Sequence, residues 1–189
     1  MKYFSIDIET TGVDSDNHQI LEIGAIFEDT EKQLSFEEIP KFHCFVKHNE
    51  IRGVAFALNM NARILEILAH PSKHKDENII RNEDASFELG VWVRNCLQTR
   101  EGEIPEIICA GKNFASFDKQ FLENLPHWKH YIKIKSRSID PAILYTDFKN
   151  DTDVANTKDC MERAELKYEN EHYAIYDAWN IIQLLRKKY

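Results

Sequence analysis

No stretch of this chain is apolar for long enough to cross a bilayer, which excludes a helical membrane protein. The opening residues, MKYFSIDIE, lack the apolar run ending in small residues that a secretory signal needs, so the cytosol is the expected location. Cysteine is scarce and scattered: Cys44, Cys96, Cys109 and Cys160 include no C-x-x-C pair, which excludes a disulfide framework or a structural zinc site. Buried free thiols are the expected role. Positive charge is also short, 24 Lys and Arg against 32 Asp and Glu, a net charge of −8. That balance argues against gripping nucleic acid through a broad basic surface. It leaves room for phosphate chemistry, because bound metal ions can supply positive charge where a phosphate sits. Repeats, low-complexity tracts and Gly/Ser-rich linkers are absent as well, so residues 1–189 read as one domain.

What is present is the pattern of an α/β protein. Residues 2–7 and 20–28 (ILEIGAIFE) read as strands, and residues 34–46 as a third that closes a meander. Residues 57–69 carry apolar side chains at helical spacing and end before Pro71. The charged run 71–85 reads as an exposed loop, with Ser86 capping a helix that continues to about Arg100. Residues 104–111 then read as a buried strand, 115–125 as a helix and 132–140 as a strand. A short helix is expected near 141–148, with two more near 155–166 and 173–187. Three strands followed by alternating helix and strand give a mixed central sheet with helices on both faces.

Three short motifs carry chemistry. In Asp7-Ile8-Glu9-Thr10-Thr11-Gly12, a strand places Asp7 and Glu9 on one face, where two carboxylates repel unless a cation lies between them. In Asn113-Phe114-Ala115-Ser116-Phe117-Asp118, the aspartate falls at the start of a helix, where the dipole favours it. In His172-Tyr173-Ala174-Ile175-Tyr176-Asp177, a histidine stands five residues before an aspartate. Each motif alone has a bland explanation: a solvated strand edge, a stabilised helix start, a chance pairing.

Together, in this order and spanning residues 7–178, the motifs resemble the DEDD exonuclease superfamily. The likeness is closest to its DEDDh branch, which includes proofreading exonuclease subunits, ribonuclease T and oligoribonuclease. D-I-E-T-T-G, N-F-A-S-F-D and H-x-A-x-x-D-A (His172, Ala174, Asp177, Ala178) match its three motifs, and I-L-E-I-G-A resembles its second strand. The resemblance implies an RNase H-like fold and a metal-dependent 3′-5′ exonuclease acting on single-stranded DNA or RNA 3′ ends. It implies two divalent cations, Mg²⁺ or Mn²⁺, as suits an all-carboxylate ligand set. Asp7 would bridge both ions, Glu9 and Asp177 would complete one site, and Asp118 would serve the other through water. Two such ions are a recurrent solution to in-line phosphodiester hydrolysis. His172 would be the general base.

Tyr173 also satisfies the Y-x-x-x-D pattern of the superfamily's tyrosine branch. At about 100° per residue, Tyr173 lies roughly 40° from Asp177 on a helix and His172 roughly 140° away. Tyrosine is therefore favoured if the helix already includes residue 172, and histidine if that residue precedes it.

Substrate contacts are expected from the backbone of Thr10, Thr11 and Gly12, from Val13, Leu58 and Met60, and from Asn113 with Phe114 or Phe117. These apolar side chains serve equally well as core. Lys129 to Arg137 is the densest basic stretch, either a track for upstream phosphates or a charged edge strand. The remaining histidines have no metal-ligand spacing. The alternative reading is a catalytically idle RNase H-like module that binds nucleic acid or protein; the presence of all five expected catalytic residues argues against it.

Overall fold

A computed structural model describes residues 1–168 and 172–189. The frame is an antiparallel meander of β1 (Lys2–Thr10), β2 (Ile20–Asp29) and β3 (Lys41–Lys47). Two short strands extend it in parallel: β4 (Ile79–Arg81) beside β3, and β6 (Cys109–Ala110) beside β1. The order β4-β3-β2-β1-β6 makes the sheet mixed, as expected.

Alternation along β1 divides the core. Phe4, Ile6 and Ile8 point to the side packed by α3 (Asn82–Leu97) through Ala85, Leu89 and Val93, and by α4 (Asp118–Glu123) through Phe121 and Leu122. Tyr3 faces the other side, against Ile175, Ala178, Ile181, Ile182 and Leu185 of α7 (Ala174–Arg186). Burying an aliphatic or aromatic side chain contributes roughly 1.5–3 kcal/mol, so these two layers fix helices on both faces.

The seating of α7 depends on two contacts. At its start, a Cβ on Gly24 would lie 2.3 Å from the backbone of Ala174 and Ile175, so only glycine lets the helix approach β2 this closely. At its end, Arg186 donates to the buried Glu28 carboxylate through Nε and Nη2, at 2.9 and 2.7 Å.

Several boundaries depart from the sequence pattern. The third strand begins at Lys41, not Leu34: Ile39 N–H bonds back to Ser35 at 2.9 Å in a tight turn, and Pro40 has no N–H for the ladder. The expected helix 57–69 is two helices, α1 (Ala55–Met60) and α2 (Ala62–Ala69). They part at Asn61, whose side chain donates to the Thr10 carbonyl at 3.0 Å. The charged run ends early, because residues 79–81 form β4 and α3 starts at Asn82. Its N-terminal cap position is Arg81, with Glu83 and Asp84 in the first turn, where their charge complements the helix dipole. Ser86 is therefore no cap; it is buried inside the helix, and its hydroxyl has no hydrogen-bond partner among the described residues.

The strand expected over 104–111 is also divided. β5 (Glu106–Ile107) pairs with β7 (Lys133–Ile134) in a separate two-stranded sheet, while β6 joins β1. Short helices α5 (Ala142–Tyr145) and α6 (Thr157–Arg163) complete the chain before α7. All four cysteines are free thiols, three of them buried and Cys96 half-buried. Among the described residues, no helix is long and apolar enough to cross a membrane.

Candidate active site

The parity of β1 and the docking of α7 bring three carboxylates together. Oxygens of Asp7, Glu9 and Asp177 lie within 4.8 Å of one another, close enough to share a cation. Asp7 pairs in register with Gly24, the residue on which α7 rests, so the contact that seats the helix also delivers Asp177 to Asp7. The His172 backbone amide donates to Asp177 Oδ2 at 3.0 Å, and Asn180 reaches Oδ1 at 3.4 Å. Asp118, buried as the first residue of α4, lies outside that trio but beside Asp7. The backbone at Asp118 itself and at Ile8 favours its charged form.

The electrostatics follow from this crowding. Burial, then the charges of Asp118, Asp177 and Glu9, hold Asp7 well above the usual carboxylate range. Burial, then Glu22 and Asp177, push Glu9 up to about 8, partly opposed by Asn61 and Arg63. Burial pushes Asp118 up to about 7. Carboxylates so disfavoured as free anions make a donor set suited to a hard divalent cation, which the all-oxygen chemistry matches.

A cavity of about 490 Å³ opens on this cluster; its lining includes Asp7, Glu9, Asp177 and His172 together with Lys112, Lys158 and Tyr168. His172 is exposed, at φ +63° in the turn before α7. Tyr173 follows as the extended residue preceding the helix (φ −121°, ψ 106°). The helix therefore excludes residue 172, the condition that favours histidine. Tyr173 is engaged elsewhere, with the Arg63 guanidinium 3.8 Å above its ring.

The expected substrate contacts divide. Thr10 and Thr11 are buried, and their hydroxyls close the turn by accepting from Gln19 N–H (Thr11, 2.9 Å) and donating to the Gly12 carbonyl (Thr10, 2.7 Å). Gly12 leaves the space taken by the His18 ring, 2.6 Å from where a Cβ would stand. Val13 is 83% exposed. Leu58 is half-buried beside Gly53, which in turn packs on Thr11, and Met60 is exposed. Asn113 is exposed at φ +56°, its amide bonded to Asp140 Oδ2 at 3.0 Å. Phe117 is half-buried, 5.1 Å from Phe121, whereas Phe114 is wholly core.

Sequence reasoning passed over Glu22 and Arg63. Glu22 is fully buried opposite Glu9, with His43 Nε2 at 2.6 Å and Arg63 Nη2 at 2.8 Å. The available signal was a glutamate inside an apolar strand and an arginine inside an apolar helix, two charges each needing a partner.

Comparison with known proteins gives the same direction. A family model described as Exonuclease, of the RNase T type, matches residues 4–185. No curated protein sequence matches. Among solved structures, Escherichia coli Exonuclease I in complex with a dT13 oligonucleotide superposes with a TM-score of 0.66 at 14% identity, over 98% of this chain and 40% of that one. Exonuclease I from Methylocaldum szegediense gives 0.66 at 12% identity, with the same coverage. Cell-death related nuclease 4 gives 0.63 at 14% identity, over 98% of this chain and 62% of that one. The chain thus spans about two fifths of the length of the Exonuclease I proteins it matches.

Proposed function

This chain belongs to the exonuclease family of the RNase T type, with an RNase H-like fold, and from that premise we propose that it trims single-stranded nucleic acid from the 3′ end, releasing nucleoside 5′-monophosphates. The observation that carries the proposal is the convergence of Asp7, Glu9 and Asp177 within 4.8 Å in a cavity that His172 also lines. Asp7, Glu9 and Asp177, with Asp118 beside Asp7, would hold two divalent cations, Mg²⁺ or Mn²⁺. Bound there, the ions would supply the positive charge that the scissile phosphate and the leaving 3′ oxygen require.

The protein's own groups do the rest. His172 takes the proton from the attacking water, because its position in the turn before α7 leaves the imidazole exposed beside the carboxylates. Its backbone amide holds Asp177 in place. The Thr10–Gly12 backbone, Val13, Leu58, Asn113 and Phe117 border the terminal nucleotide. The dT13 strand held by E. coli Exonuclease I supports a single-stranded substrate. Free, mostly buried thiols fit a reducing cytosol, and we read residues 1–189 as one exonuclease domain.

The test uses 5′-labelled DNA and RNA oligomers of matched sequence with Mg²⁺ or Mn²⁺. A ladder shortening from the 3′ end, absent in Asp7→Ala, is the expected result, and the faster of the two substrates names the sugar. Oligomers that all stay intact would leave the idle binding module as the better reading.

A further inference from the structure

The cavity is lined by charges of both signs. Besides the carboxylates its lining includes Lys112, in the loop between β6 and α4, and Lys158, in the first turn of α6. Lys112 is half-buried and near enough to α6 for its charge to be felt at the Cys160 thiol, and both lysines line the one cavity. Among the described residues neither lysine makes an ion pair. The basic stretch 129–137 is built differently. Lys135 lies 3.9 Å from Glu106 in the second sheet, and His127 to His130 line a separate hollow with Glu123.

A nucleic-acid strand carries a charge at every phosphate, and cations on the carboxylates answer only the one being cut. A neighbouring phosphate brought into a site is held more tightly where it meets a positive partner of its own. A strand trimmed at a 3′ hydroxyl end has just one neighbour to the scissile phosphate, the next one upstream. The cavity, about 490 Å³, is of the size that takes a single small ligand, roughly one nucleotide step.

We propose that Lys112 and Lys158 form a seat for the phosphate immediately 5′ of the scissile one, so that the strand enters along α6 and ends at the Thr10–Gly12 turn. The seat rests on the exonuclease reading and adds polarity and a minimum substrate to it: full affinity requires a second phosphodiester.

The test compares wild type with the Lys112→Gln/Lys158→Gln double variant on two substrates. One is an oligothymidylate; the other is thymidine 5′-(4-nitrophenyl phosphate), which has a single phosphodiester and no upstream neighbour. On the oligomer, KM should rise about tenfold with kcat little changed, and the slope of log KM against log salt should fall by about 0.7, the loss of one phosphate contact. On the nitrophenyl ester the variant should match wild type, and Lys112→Arg/Lys158→Arg should restore the oligomer KM. Equal losses on both substrates, or no loss on either, overturn the seat while leaving hydrolysis intact. If wild type cuts neither substrate, the exonuclease reading fails, and fluorescence anisotropy of the labelled oligomer still decides: weaker, less salt-sensitive binding by the double variant supports the seat, and unchanged binding overturns it.

Discussion

The guanidinium of Arg63 lies 3.8 Å above the ring of Tyr173, and its Nη2 bonds to Glu22 at 2.8 Å, so one side chain joins the buried carboxylate facing Glu9 to the residue that follows His172. Removing it leaves Glu22, fully buried, with His43 as its one ion-pair partner among the described residues. Breaking a buried pair from one side costs about 3–5 kcal/mol. Arg63→Ala should therefore lose stability of that order in urea unfolding. Arg63→Lys should recover part of it, since an ammonium keeps the charge but loses the planar stacking on tyrosine. Equal stability of all three proteins would show that the Glu22 pairing contributes nothing.

Histidine and tyrosine as base give opposite mutational results. A positioned general base is worth about 10²–10⁴ in rate. His172→Ala should lower kcat by that factor with KM nearly unchanged, and Tyr173→Phe should leave kcat close to wild type because the ring still meets Arg63. The reverse pattern in steady-state kinetics would move the base to the tyrosine.

The metal-free protein should lose stability as pH rises. Glu9 at about 8 and Asp118 at about 7 both lie above the ordinary carboxyl values of about 4 that the unfolded chain has. Between those limits the folded state keeps protons that the unfolded chain releases. The stabilising contribution is complete below about pH 4 and is lost as pH climbs through 7 to 8. Melting in a chelator should occur at lower temperature near pH 8.5 than near pH 5.5, and Mg²⁺ or Mn²⁺ should narrow the gap by replacing the missing protons. A melting temperature that rises over this interval in chelator would contradict the origin given for the shifts.

Gly24→Ala tests the docking of α7. The new methyl would stand 2.3 Å from the helix backbone, a contact that no side-chain rotation relieves. Overpacking of this kind costs about 1–3 kcal/mol, and the helix must retreat to accommodate it. The expected result is a folded protein with weakened metal binding by calorimetry and a kcat loss larger than its stability loss. Unchanged metal affinity would mean that Asp177 reaches Asp7 independently of the glycine.

Legibility in the sequence followed the range of the interaction. Asp7 and Glu9 share a face because strand periodicity is local, and the start of α7 after Tyr173 agrees with the motif. The helix break at Asn61 was not legible, because its cause is a bond to Thr10, 51 residues away. The division of residues 104–111 between two sheets was equally hidden. An apolar run records burial and not which strand it pairs with, so nothing local distinguishes Ile107, beside Ile134, from Cys109, beside Phe4. Glu22 and Arg63 were missed for the same reason: each looks like an isolated charge until the fold supplies the other.

Asp7 and Glu9 are synthesised well before the helix that brings Asp177 against them. Since α7 rests on β2 at Gly24, a nascent chain that has not yet made the helix holds the Asp7–Glu9 pair without the third carboxylate of the trio. The trio then completes in one step, when α7 closes on Gly24, so cation affinity should appear together with the docking of that helix and not before it.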